Sequence, residues 1–170
     1  MKPFATVLLA FGFLATCLVA QQPAAQQPNG AAIDPPWTPA QVLTPDDFMH
    51  VFSNKGPGNK PQAPTMIHVG FDNFYKSKHV PGSIYAGPGR TEAGLELLKK
   101  AVAEMPKDRL IVLYCGCCPW DHCPNMKPAY KVLHDLGYKQ IKVVEIPNSF
   151  AKDWVEKGYP VEGATASSPQ

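Results

Sequence analysis

The stretch from Leu110 to Asn125 reads LIVLYCGCCPWDHCPN. Its first five residues, Leu110-Ile111-Val112-Leu113-Tyr114, are continuously apolar. A strand with one wet face would alternate; this pattern belongs to a strand buried on both faces of a parallel sheet. The residues that follow gather four of the chain's five cysteines, Cys115, Cys117, Cys118 and Cys123, into one loop with Asp121 and His122. Beyond the loop, Ala129, Val132, Leu133 and Leu136 recur at helical spacing from a start at Lys127-Pro128, and Gly137 closes the run. Ile141 to Ile146 then reads as another strand, and Ser149 as the cap of a last helix that carries Phe150 and Trp154 and ends at Gly158.

Working back from Leu110, Thr91 caps a helix with Leu95, Leu98, Val102 and Met105 on one face, stopped by Pro106. Met66-Ile67-His68-Val69 is a short buried strand, and the Gly-, Pro- and Lys-rich stretch from Asn54 to Pro64 is a loop. Thr44-Pro45-Asp46-Asp47 starts a helix, with a capping hydroxyl, Pro in the first turn and an acid three residues after the cap. Strands that alternate with helices predict an α/β domain with a mainly parallel sheet. In such sheets ligands bind beyond the carboxyl ends of the strands, where the cysteine loop falls.

The first residues have the layout of a secretory signal: Lys2, an apolar run from Phe4 to Ala20, then Gln, Pro and Ala. Residues 1–20 are expected to be a signal peptide cleaved after Ala20, giving a periplasmic or secreted protein. Alternatively, Leu14-Ala15-Thr16-Cys17 resembles a lipobox, which would make Cys17 a lipid anchor on a membrane. Residues 21–36 read as a disordered spacer, 37–162 as one domain and 163–170 as a flexible tail. Loss of Lys2 with the signal lowers the formal charge from +2 to +1, and no basic cluster of the kind nucleic acid requires is present. A monomer is expected.

His68 to Ile84, HVGFDNFYKSKHVPGSI, resembles without gaps the first signature of the rhodanese family, most specifically over His79 to Ile84. The second signature is similar too: an apolar strand ending in Tyr114-Cys115, a loop, the helix with Leu133 and Gly137, and Trp154 to Val161 near the end. The resemblance covers about Leu43 to Val161. It implies a five-stranded parallel sheet flanked by helices, no cofactor, and a sulfurtransferase that carries sulfur as a persulfide on Cys115. The donor would be a small-molecule or protein persulfide and the acceptor a thiol.

The chemistry of the residues accords with this. A thiol attacks as thiolate, and loop N–H groups running into a helix N-terminus stabilise that anion. Gly116 makes the sharp turn cheap. The loop is longer than the family's usual one and lacks its Arg; the chain's only arginines are Arg90 and Arg109, and Gly70 stands where the first signature has Arg. Thiosulfate is therefore expected to be a poor donor unless Lys127 or His122 supplies the charge.

Cys117, Cys118 and Cys123 have three readings: resolving thiols for Cys115, a disulfide from Cys117 or Cys118 to Cys123, or, with Cys115 and His122, ligands for Cu(I) or Zn(II). The first also fits a thiol-disulfide oxidoreductase, the second is structural, and the last makes the protein a soft-metal binder. Haem attachment needs CxxCH, which does not occur. In the loop, Pro119 shapes the backbone, Trp120 is expected to cover the thiols and Asp121 to cap a turn. His68, His79 and Lys127 are expected around the site rather than in it.

Overall fold

The computed structural model describes residues 35–53 and 63–163. The signal peptide, Cys17, most of the spacer, most of the 54–64 loop and the tail from 164 lie outside the described residues. Among the described residues, no helix is long and apolar enough to cross a membrane.

Five strands form one sheet, β1 (Val42–Leu43), β2 (Thr65–His68), β3 (Ile84–Tyr85), β4 (Leu110–Tyr114) and β5 (Gln140–Val144), in the order β1-β5-β4-β2-β3. Every pairing is parallel, with Ile67 opposite Leu113 and Leu113 opposite Val143. β4 is therefore interior, as its unbroken apolar run requires. Its side chains divide by the two-residue period of a strand. Ile111, Leu113 and Cys115 join one core with Leu98, Val102, Ala129 and Leu133; Val112 and Tyr114 join the other with Phe48, Phe150 and Trp154.

The helices that cover these cores are α1 (Pro45–Ser53), α2 (Asp72–Ser77), α3 (Glu92–Val102) and α4 (Met126–Asp135). At α1 the capping box forms: the Asp47 amide donates to Thr44 Oγ1 at 3.1 Å, and the Thr44 amide and hydroxyl donate to the Asp47 carboxylate at 3.3 and 2.7 Å. At α3 the Gly94 amide donates to Thr91 Oγ1 at 3.0 Å. Each cap satisfies an otherwise orphaned donor, worth about 1 kcal/mol.

Three elements differ from the sequence reading. α4 begins at Met126, one residue early, and its stripe is Met126, Ala129, Tyr130 and Leu133, leaving Leu136 exposed. Tyr130 turns inward because its hydroxyl is met by Gln41 Nε2 at 2.7 Å. α2 is an additional short helix. The last helix is a single wide turn, Ala151–Val155, closed by the Glu156 amide on the Ala151 carbonyl. Ser149 Oγ does accept the Lys152 amide, at 3.2 Å.

Asp153 explains that wide turn. Its buried carboxylate accepts the amides of Asn148 and Ser149 at 2.5 and 3.0 Å and Asn148 Nδ2 at 2.9 Å. Burial opposes the charge, but these hydrogen bonds outweigh it and hold the acid below its ordinary value. A depressed folded pKa stabilises above the unfolded value near 3.8 and is lost as pH falls through the folded one. Asp153→Ala is expected to cost about 1–3 kcal/mol at neutral pH, where three donors lose their acceptor. In urea melts the gap between variant and parent should narrow below pH 3.8; a gap that is independent of pH would contradict the assignment.

Candidate functional site

Cys115 follows the last residue of β4, where the strand leaves the sheet. Gly116 then takes φ +73° and its carbonyl accepts the Phe150 amide at 2.9 Å. A Cβ at Gly116 would lie 2.7 Å from Phe150 Cβ and 3.0 Å from its amide nitrogen, so the turn and the close approach both require glycine. Pro119 leads into a 310 turn, Trp120–His122, and the Trp120 amide reaches the Pro147 carbonyl at 3.3 Å. The long loop is thereby fixed at two points to the chain between residues 147 and 150.

This path folds three sulfurs together. The Sγ atoms of Cys115, Cys117 and Cys123 all lie within 4.8 Å of one another, with 3.0 Å between Cys115 and Cys117. Cys118 stands at the side, its sulfur 3.6 Å from that of Cys117 and 3.9 Å from the His122 carbonyl. All four are free thiols, so the loop holds a thiol cluster where a disulfide from Cys117 or Cys118 to Cys123 had been one expectation. His122 and Asp121 are exposed and face each other at 3.6 Å; His122 does not join the sulfurs, and Asp121 pairs with it in place of the expected turn cap.

Charge within the cluster is unevenly placed. Hydrogen bonds to Cys117 and Cys123, with burial, push the Cys115 thiol up. Hydrogen bonds from Cys115 and Cys117 hold the Cys123 sulfur well below the ordinary thiol range, and the amides of Asn125 and Met126 at the start of α4 add to them. Burial pushes Cys118 up to about 12.

Sequence reasoning missed Asn125. It is fully buried, directs Nδ2 at Cys115 and Cys117 at 3.5 and 3.4 Å, and accepts the Arg90 amide on Oδ1 at 3.2 Å. Its place just ahead of the helix was the available signal, obscured because Lys127-Pro128 reads as the helix start.

His68 ends β2 and is buried. Burial holds its ring neutral, with a pKa lowered to about 4, while a hydrogen bond to the Cys115 backbone works the other way. Its Nδ1 accepts the Gly70 amide at 3.4 Å. Gly70 lies so close that a Cβ there would stand 2.8 Å from the His68 ring and 3.1 Å from Cys115 Sγ. Glycine at this position thus admits the backbone to the sulfur. His79 holds the chain beside the site: Nδ1 meets the Tyr75 carbonyl at 2.7 Å, and its backbone pairs with Glu162.

A cleft and a groove lead from the surface to the sulfurs. A cleft of about 250 Å³ is floored by Cys115 and Cys117 and walled by Phe74, Phe150 and Val155, with Lys78 at its rim. A groove of about 210 Å³ reaches Cys123 and is bordered by Trp37, Trp120 and the exposed Lys127. Trp37, from the start of the domain, and Trp120 lie 5.5 Å apart along this groove. The positive charge at the cleft comes from Lys78, which sequence reasoning did not single out; Lys127 borders the groove instead, and His122 is at the loop surface.

No family model matches the chain, and no curated protein matches it in sequence. Solved structures similar to it include rhodanese-like domains. One, from an Anabaena protein, is 22% identical and matches over 76% of this chain and 83% of its own, with a TM-score of 0.49. A rhodanese-like domain protein from Staphylococcus aureus is 14% identical over 74% of this chain and 99% of its own, with a TM-score of 0.42. A rhodanese from E. coli solved with anions is 22% identical over 60% of this chain and 100% of its own, with a TM-score of 0.39.

Proposed function

We propose that this protein is a sulfurtransferase that carries sulfane sulfur as a persulfide on Cys115. The observation that supports the reading is the place of the Cys115 sulfur, at the end of the interior strand and on the floor of a cleft with a cationic rim. In the first step the Cys115 sulfur attacks the sulfane sulfur of the donor. The donor's S–S bond breaks, and the departing donor thiolate takes up the Cys115 proton and leaves as a thiol. An acceptor thiolate then takes the terminal sulfur and restores Cys115. Cys117, 3.0 Å away, is placed to attack the inner sulfur instead, which releases hydrosulfide and leaves a Cys115–Cys117 disulfide.

The largely apolar walls and the single Lys78 fit an organic persulfide with an anionic end better than a small dianion such as thiosulfate. Anaerobic incubation with an organic persulfide should add the mass of one sulfur atom, removable by reductant; a protein that gains none is not a sulfur carrier. Lys78→Ala is expected to raise the donor concentration for half-maximal loading about 3- to 10-fold, with little change at saturation, because an exposed charge steers rather than reacts. Equal loading curves would remove Lys78 from the site.

We also propose that the protein is exported, on the strength of the apolar run from Phe4 to Ala20. N-terminal sequencing from the host is expected to give Gln21, or a lipidated Cys17; an intact Met1 on soluble protein would contradict both.

A further inference from the structure

We propose that Cys115, Cys117 and Cys123 form a three-sulfur site for one Cu(I) ion. The inference stands on the geometry of the cluster and does not depend on the persulfide reading. The three sulfurs come from both ends of the loop, and none of them is tied in a disulfide. With metal–sulfur bonds of about 2.3 Å, a trigonal ion needs sulfurs about 4 Å apart. The cluster, within 4.8 Å throughout, reaches this when Cys117 moves about 1 Å from its present 3.0 Å contact with Cys115.

The surroundings select the ion. Thiolates favour soft metals, of which Cu(I) accepts three donors in a plane whereas a structural Zn(II) site takes four in a tetrahedron. Among the described residues, no fourth donor lies within 4.8 Å of all three sulfurs. The His68 ring is engaged by the Gly70 amide and the Cys115 backbone, His122 is at the surface, and the Cys118 sulfur, although 3.6 Å from that of Cys117, stands outside the mutually close trio. The negative charge of a thiolate complex is met by Asn125 Nδ2, aimed at two of the sulfurs, and by the first amides of α4. Trp120 and Trp37 pack over the same loop. Binding releases the thiol protons to solvent and involves no change of oxidation state.

The test is anaerobic titration of the reduced full-length protein with Cu(I) buffered by a competing chelator. It is read by native mass and by sulfur-to-copper charge-transfer absorption. One Cu(I) per chain is expected. Loss of a ligand in Cys123→Ser or Cys117→Ser should weaken binding by more than about 100-fold, and Asn125→Ala by about 10-fold. Cys118→Ser and His122→Ala should bind as the parent does. Circular dichroism confirms that the serine variants are folded, and either of the two suffices. No copper retained against the chelator, a Cys118→Ser defect equal to that of Cys123→Ser, or tighter retention of Zn(II) than of Cu(I) would each overturn the proposal. Persulfide loading of the metal-free protein is scored separately. Loading without copper binding defeats this inference alone, and copper binding without loading defeats the sulfurtransferase reading alone.

Discussion

Cys115→Ser should lose single-turnover sulfur loading by more than about 10³-fold, since a hydroxyl without a dedicated base cannot replace a thiol as nucleophile. The fold should survive, because serine is smaller than the cysteine it replaces in a space bounded by Gly70, His68 and Asn125. The result is informative because two properties of the cluster point to different atoms. Position selects Cys115, at the strand end and on the cleft floor. Charge selects Cys123, whose sulfur is held below the ordinary thiol range but which borders the other groove. Rapid-quench loading followed by peptide mass mapping separates them. Cys117→Ser should load at the parental rate and keep its persulfide longer, having lost the neighbour 3.0 Å away that intercepts it. If Cys115→Ser loads as fast as the parent, charge outranks position and the reactive thiol is on the rim of the loop.

Gly116→Ala is expected to damage both stability and the site. Two independent costs add: a side chain at φ +73°, about 1 kcal/mol, and a Cβ pressed to 2.7 Å from Phe150 Cβ and 3.2 Å from Ile146 Cδ1, about 1–3 kcal/mol for overpacking. Gly137→Ala supplies the control. Its φ is +82°, but nothing lies within 4 Å of the added methyl, so only the backbone cost remains. Urea midpoints should place Gly116→Ala well below Gly137→Ala, and sulfur loading should fall in the former only, as the loop is pushed from its anchor at Phe150. Equal midpoints would mean that the Phe150 contact gives way freely.

What sequence disclosed here follows from how local each determinant is. The β4 run announces itself because a strand wet on neither face has no polar residue to interrupt it, and Thr44 and Thr91 announce helix starts because a cap is read within four residues. The gathering of thiols in one loop was equally plain, and Cys115 was distinguished by standing next to the strand. The ligand-like trio was not legible. Which three of four sulfurs converge depends on Gly116's φ and on the attachment of the loop to Pro147 and Phe150, contacts more than twenty residues away. Trp37 and Lys78 were invisible for the same reason, each acquiring its role from a partner distant in sequence, whereas Asn125 was hidden by the later helix start that Lys127-Pro128 suggests. The wide final turn escaped because Ser149 does cap it, while the Asp153 carboxylate that reshapes it reads in sequence as one more surface acid.

The edge strand β1 carries a consequence for the route by which the chain reaches this structure. Val42 and Leu43 pair with β5, and Gln41 bonds the Ile141 carbonyl 100 residues away, so that edge closes after nearly the whole domain has been made. Contacts of such span form late, because the entropy of closing the loop must be met before they contribute. Trp37, four residues ahead of Gln41, reaches Trp120 only with that closure. A refolding chain therefore passes through forms whose thiols lack their cover. An oxidant present during that interval would bridge them at random, whereas the same oxidant added afterwards would meet them behind two indole rings. The order in which renaturation and oxidation are carried out should then govern how much native protein is recovered.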